Sequence, residues 1–230
     1  MNLQEGEYGK MNKVVNMDKV MEYIVPGVDI MVGGFLGLGA PNKIIDEIVE
    51  RGIGNLTVIS SDTALPDKGV GKIFANKLCT KLYATHIGTN PCTQAGVNSG
   101  EIEMEYIPQG TFARRIKCGG NGMGGFLTKV GMGTVIEEGK QKVTVDGEEY
   151  LIEKPLKASV ALLGAYMADT MGNLYLKGNE KSFNIAMAMA CDTVIVEAEH
   201  IVEPGEIDPD CVHIPFIFVD YIIKGDKVNG

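Results

Sequence analysis

A glycine-rich run, GGFLGLGAP from Gly33 to Pro41, carries the clearest chemical possibility in the sequence. A stretch without β-carbons lets backbone N–H groups face a ligand, and a helix following it adds its positive N-terminal end. Phosphate, pyrophosphate or carboxylate would be stabilised there. The spacing departs from GxGxxG and from the lysine-bearing phosphate loop, so the run reads either as an anion or nucleotide-like site or as a structural tight turn. A second run, GNGMGG from Gly120 to Gly125, formally satisfies GxGxxG. No strand leads directly into it and FLTKVGMGT does not start a helix, so it reads as a mobile loop beside a site.

Other reactive groups are scattered. Gln109, Gly110 and Thr111 follow an alternating apolar segment, and strand ends are where α/β proteins place ligands. Gln109 reads as an amide donor to a substrate carboxylate or as a turn residue bonded to its own backbone. Arg114 and Arg115 read as a solvated helix face in preference to a phosphate guide. The acidic segment EAEHIVEPGEIDPD, beginning at Glu197, is broken by Pro204, Gly205 and Pro209 and reads as a polar loop or partner surface. Cys211, His213 and His200 do not assemble four metal ligands, and His86 reads as a histidine near a strand end. Without a GxSxG elbow or a Ser-His-Asp set, no metal and no self-contained catalytic group is expected in this chain.

The elements that must hold these residues alternate. VDIMV ending at Val32 reads as a strand. From Asn42, Ile44, Ile45, Ile48 and Val49 fall at helical spacing, with Pro41 suited to the first turn and Gly52 to the stop. Strands follow at Leu56 to Ser60, Leu82 to Gly88 and Ile102 to Pro108, with a helix within Lys72 to Leu78. Asp146 and Gly147 predict a type I′ hairpin over 142–153. SVALLGAYMA reads as a buried strand, Asp169 to Lys177 as a second hairpin, Phe183 to Ala190 as a helix and TVIVEAE as a strand. The expected class is α/β, mainly parallel with helices on its faces and a small antiparallel excursion.

Composition narrows the function. The formal charge is −9 without a basic tract, which argues against nucleic acid and anionic membrane surfaces. Five cysteines without a CxxC pair fit a reducing cytoplasm better than a disulfide framework. No apolar stretch approaches the roughly 18 residues of a membrane span. Residues 1–10 read as a loose extension and 11–230 as one domain.

Taken together, VGGFLGLGAP, THIGTNP, YIPQGT, KCGGNGMGGFLT, VGMGTVIEEGK and IVEPGEIDPD resemble the α subunit of family I (3-oxoacid) coenzyme A transferases, closest to the acetate or butyrate–acetoacetate type. The resemblance runs from about Lys13 to the C-terminus. It implies an open α/β sandwich and a hetero-oligomer with a β subunit, of α2β2 form, that moves CoA between a short acyl-CoA and a free carboxylic acid. CoA would be substrate and product, with no permanently bound cofactor. The nucleophile would be a glutamate of the β subunit within a Glu-Asn-Gly motif, and no such tripeptide occurs here.

By the same resemblance Gly33, Gly34, Phe35, Leu36, Gly37, Leu38 and Gly39 would form the CoA-associated segment. Gln109 would face the substrate carboxylate, Ser61 and Asp62 would occupy a stretch beside the substrate, and Gly119 and Gly120 would line the pocket. The alternative is a module that binds CoA or another phosphorylated ligand without chemistry of its own.

Overall fold

The computed structural model describes residues 12–226; the expected extension over residues 1–10 lies outside them. Its elements in chain order are α1 (Met17–Met21), β1 (Asp29–Val32), α2 (Asn42–Glu50), β2 (Leu56–Ile59), α3 (Gly71–Ala75), β3 (Cys79–Ala84), α4 (Pro91–Ser99), β4 (Glu103–Tyr106), α5 (Gln109–Gly120), β5 (Phe126–Thr128), β6 (Lys142–Val145), β7 (Glu148–Glu153), β8 (Ala158–Asp169), β9 (Leu174–Tyr175), α6 (Asn184–Ala190), β10 (Cys191–Val202) and β11 (Tyr221–Lys224).

Period-two alternation organises the core. Ile30 and Val32 of β1 pack on one face with α2 and α3, as do Val160 and Leu162 of β8 and Ile195 of β10. The intervening Met31, Ala161, Leu163, Val194 and Val196 pack on the other face with Phe112 and Ile116 of α5 and Met187 of α6. The central strands β1, β8 and β10 are therefore buried on both sides, as the inner strands of parallel sheets are. Its order is β11-β10-β8-β1-β2-β3-β4, and every pairing along that path is parallel. β9 folds back antiparallel on β8, giving the second hairpin expected from the sequence.

From β1 the chain steps outward through β2, β3 and β4, then returns to lay β8 on the free side of β1. The β1–β8 seam is thus a topological switch point, where connections diverge and leave a crevice beyond the strand C-termini. β8 pairs with β1 only as far as Val32↔Leu162 and then continues to Asp169. Its second half forms a floor beneath whatever leaves β1.

The antiparallel excursion is an arm of three strands, β5-β7-β6. Asp146 at φ 49° and Gly147 at φ 79° form its turn, both in the left-handed region that a type I′ hairpin demands. Arg115 corrects one expectation. It is 7% exposed, its guanidinium bonding Glu105 and the Lys154 carbonyl and lying 3.9 Å from buried Glu153. Lys140 closes the network by bonding Glu153. The helix face at this point is an anchor for the arm, whereas Arg114 is solvent-facing.

Candidate functional site

The Gly33–Pro41 run leaves β1 at the switch point and is tied down along its length. Gly33 donates to the Leu162 carbonyl of β8 at 2.9 Å. The Gly34 N–H donates at 3.3 Å to Oδ1 of Asn184, whose amide donates in turn to the Gly164 carbonyl at 2.8 Å. Phe35 and Leu38 exchange two backbone hydrogen bonds around Leu36 at φ 51° and Gly37 at φ 82°, a tight turn in mirror-image geometry. Leu36 donates to the buried Asp62 carboxylate at 3.1 and 3.3 Å. A β-carbon on Gly37 would sit 2.8 Å from that of Lys68, so this glycine serves both its φ and a close approach. The same turn leaves Phe35, Leu36 and Leu38 36%, 37% and 41% exposed.

These bonds narrow the amide-cradle reading to Gly37 and Gly39, the glycines of the run whose N–H groups have no acceptor among the described residues. The N–H groups of Gly33, Gly34, Phe35, Leu36 and Leu38 are spent on the protein's own acceptors. The start of α2 is occupied as well, because Lys43 and Ile44 donate their backbone N–H groups to Oε2 of Glu197 at 2.8 and 3.2 Å. Two internal carboxylates hold the positions an anionic ligand would take. What the loop offers outward is an apolar tip.

Glu197 falls within the strand expected at TVIVEAE, and its burial corrects only its reading as part of a solvated acidic segment. It lies in β10 and is 5% exposed. Burial pushes its carboxyl from the usual value near 4.5 up to about 7, against the opposing backbone donors of α2. The folded chain then keeps a proton that the unfolded chain loses from about pH 4.5 upward. Stability therefore falls as pH rises through that window, by on the order of 3 kcal/mol. Glu197→Gln keeps an acceptor for Lys43 and Ile44 without the charge. Urea midpoints of this variant should show that much less decline than wild type between pH 5 and pH 8; equal declines would remove Glu197 as the cause.

Neighbouring strand ends bring further candidates to the same edge. Asp62 and His86 pair in a short parallel bridge, Thr85 donates to the Ser61 carbonyl at 2.6 Å, and Ile107 continues the ladder to Ala84. Gln109 opens α5 just beyond β4, exposed and with no side-chain partner among the described residues. Ser61 is fully buried and donates its hydroxyl to Asp62 at 2.9 Å. Gly119 and Gly120 lie at the other end of α5, about 15 Å from Gln109 by helical rise. There a β-carbon on Gly119 would meet the Leu156 carbonyl oxygen at 2.1 Å, and one on Gly120 would meet Met189 at 2.7 Å. The structure thus gathers the glycine run, Asp62 and Gln109 along one sheet edge and sets Gly119 and Gly120 at the opposite end of the strands, as packing positions against the residues that lead into β8 and β10.

Beside the apolar tip opens a cleft of about 510 Å³ lined by Leu38, Gly39, Tyr166, Lys177, Glu180 and Glu199. A larger hollow, about 600 Å³ and lined by Phe74, Cys79, Thr80 and Ile102, opens at the start of β3, at the opposite end of the strands. The crevice with the ordered loop is the better site, because ligands gather at strand C-termini.

Comparison with known proteins now decides the family. The profile of Coenzyme A transferase matches residues 14–225. The protein is a member of the coenzyme A transferase family. This CoA-transferase chain is 45% identical over 213 residues to the alpha subunit of acetoacetyl-CoA:acetate/butyrate CoA transferase of Clostridium acetobutylicum, covering 93% of this chain and 98% of that one. It is 43% identical over 215 residues to the acetate CoA-transferase subunit alpha of Escherichia coli, covering 94% and 98%. Among solved structures, glutaconate coenzyme A-transferase from Acidaminococcus fermentans superposes with a TM-score of 0.83 at 20% identity, over 93% of this chain and 76% of that one. An acyl-CoA transferase of Escherichia coli O157:H7 in a thioester complex with CoA gives 0.84 at 18% identity, over all of this chain and 50% of that one.

Sequence reasoning passed over three of the CoA-transferase loop's supports. Asn184, wholly buried at the start of α6, stands 150 positions from its Gly34 partner, and no local pattern announces such a pair. Glu197 and the ligation by Asp62 are hidden for the same reason. His213 accepts from the Leu176 N–H, a structural duty. No cluster of metal-ligating side chains occurs among the described residues, and no helix there is long and apolar enough to cross a membrane.

Proposed function

We propose that this chain is the α subunit of a short-chain acyl-CoA:carboxylate CoA-transferase working with a β subunit in the cytoplasm, as an α2β2 assembly. The observation that carries this reading is the rigid, outward-facing apolar tip of Phe35, Leu36 and Leu38 at the switch point, on the same sheet edge as the unpaired amide of Gln109. The apolar tip suits the uncharged arm of CoA, and Gln109 suits the substrate carboxylate. Ser61 supports that edge through Asp62, while Gly119 and Gly120 seat the far end of α5 close against the residues that lead into β8 and β10. The chain's own buried carboxylates near the loop, Asp62, Glu180 and Glu197, are engaged by backbone donors, which leaves the nucleophile to the partner.

In this reading a partner glutamate attacks the thioester carbonyl. The C–S bond breaks, CoA leaves as thiolate, and an acyl-glutamyl anhydride remains. The thiolate then attacks the glutamyl carbonyl, the anhydride C–O bond breaks, and the first acid departs from a glutamyl-CoA thioester. A second acid reverses both steps. Covalent relay splits one difficult exchange into easier ones, and Gln109 holds the acid for them.

The test is to purify this chain with its co-isolating partner and follow acetoacetyl-CoA consumption as a function of added acetate or butyrate. Acid-dependent consumption by a stoichiometric complex supports the reading. CoA binding by a lone chain without transfer overturns it in favour of a binding module. Within the active complex, Gln109→Ala should raise KM for the acid about tenfold, the worth of a hydrogen bond to a charged group, with assembly unchanged. Unaltered acid kinetics would remove Gln109 from the site.

A further inference from the structure

Among groups at the sheet edge, Asp62 is a buried carboxylate whose chemistry the transfer reaction leaves unused. It is 2% exposed, yet no cation pairs with it among the described residues. Its Oδ1 accepts from Leu36 N at 3.1 Å and Ala64 N at 2.8 Å, and its Oδ2 accepts from Ser61 Oγ at 2.9 Å and from Leu36 N at 3.3 Å. The donors come from two connections, the turn after β1 and the bend after β2, so the carboxylate bridges them. On the turn side it grips Leu36 at φ 51°, a conformation unfavourable for a leucine unless its surroundings enforce it. On its own side it holds Ala64, also at positive φ, 48°.

We propose that Asp62 is a positioning residue that latches the apolar turn in its binding pose, acting through hydrogen-bond geometry and not through its charge. The inference rests on the CoA-transferase reading above. With the latch closed, Phe35, Leu36 and Leu38 are presented to the acyl-CoA in one fixed arrangement, and binding does not have to order them. With it open, Leu36 relaxes toward negative φ and the tip loses its pose, an ordering cost that each binding event must then meet. Such a cost falls on ground state and transition state alike, so it appears in KM and spares kcat.

Asparagine separates geometry from charge. Its Oδ1 can accept from both Leu36 and Ala64, while its Nδ2 donates to Ser61 Oγ, whose hydroxyl turns to accept. Alanine removes the latch, and serine satisfies Ala64 without reaching Leu36. In the complete two-subunit enzyme, Asp62→Asn should stay within about threefold of wild type in both parameters. Asp62→Ala and Asp62→Ser should raise KM for acyl-CoA about tenfold with kcat and the KM for the acid little changed. Exchange of the Leu36 amide proton should accelerate at least about tenfold in the same two variants. Asp62→Ser serves if alanine prevents folding.

The proposal is overturned if asparagine is as impaired as serine, which would mean the charge acts on the reactants. It is equally overturned if Leu36 exchange accelerates while KM for acyl-CoA stays put. Should the wild-type complex transfer no CoA, the functional reading fails, whereas amide exchange still reads the latch: unchanged Leu36 protection in Asp62→Ser would overturn it separately.

Discussion

Substituting alanine for Gly164 is expected to lower kcat/KM for acyl-CoA at least a hundredfold in an otherwise folded complex. Gly164 lies in the half of β8 that runs on beyond β1, where the glycine turn crosses above it. A single methyl there would stand 2.4 Å from the Gly39 carbonyl oxygen and 2.9 Å from its carbon. Those are backbone atoms, so no side-chain rotation relieves the clash, and separation to ordinary contact needs a shift of about 1 Å. The same residue receives the Asn184 amide, so the displacement reaches Gly34 through Asn184. Misplacement on this scale costs an enzyme on the order of 10² in rate. Alanine is otherwise tolerated in a central strand, and the circular dichroism spectrum and complex mass should match wild type. Full activity in a variant that retains both would show that the turn's position over β8 does not matter.

The largest loss of stability is expected from Arg115→Ala. The guanidinium sits at 7% exposure between α5, β4 and the arm. Truncation strands the Lys154 carbonyl and deprives Glu105 of its partner. Breaking a buried ion pair costs about 3–5 kcal/mol when a charge is left uncompensated. Here Glu153 keeps Lys140 and the Glu105 side chain is 39% exposed, so water screens the charge left behind, which places the expected loss below that range, about 2 kcal/mol. A urea midpoint lowered by that amount, with the slope unchanged, would bear this out. A change under about 1 kcal/mol would mean that packing of the β7–β8 connection on α5, not the charge network, holds the arm.

The fold was legible where a residue's neighbours in sequence are its neighbours in space. The alternation around Ile30, Val58 and Leu82, the stripe of Ile44, Ile45 and Ile48, and the Asp146–Gly147 turn are such cases. α4 escaped because PCTQAGVNS has no apolar stripe. Its buried residues are Thr93 and Gly96, and it packs by closeness, Gly96 lying against Ile102. Charge misled in two places: Arg115 and Glu197 look like solvent residues until the fold supplies Glu153 to one and the start of α2 to the other.

At the site, the importance of the glycine run was visible and its working was not. Glycines advertise unusual backbone, but whether their amides await a ligand depends on acceptors brought from elsewhere. Asp62, Asn184 and Glu197 are those acceptors, and each lies far along the chain from the amide it meets.

The placement of β1 bears on how the protein must be made. One side of this strand is covered by β2, the next strand to be synthesised, while the other waits for β8, which emerges only after β2, β3 and β4, four helices and the arm. During translation the nascent chain therefore carries a half-finished sheet with β1 as an open hydrophobic edge, the kind of surface that recruits wrong partners. Ribosome-bound chains halted before Ala158 should accordingly be the species that aggregates or engages chaperones, and release of β8 the event that seals them.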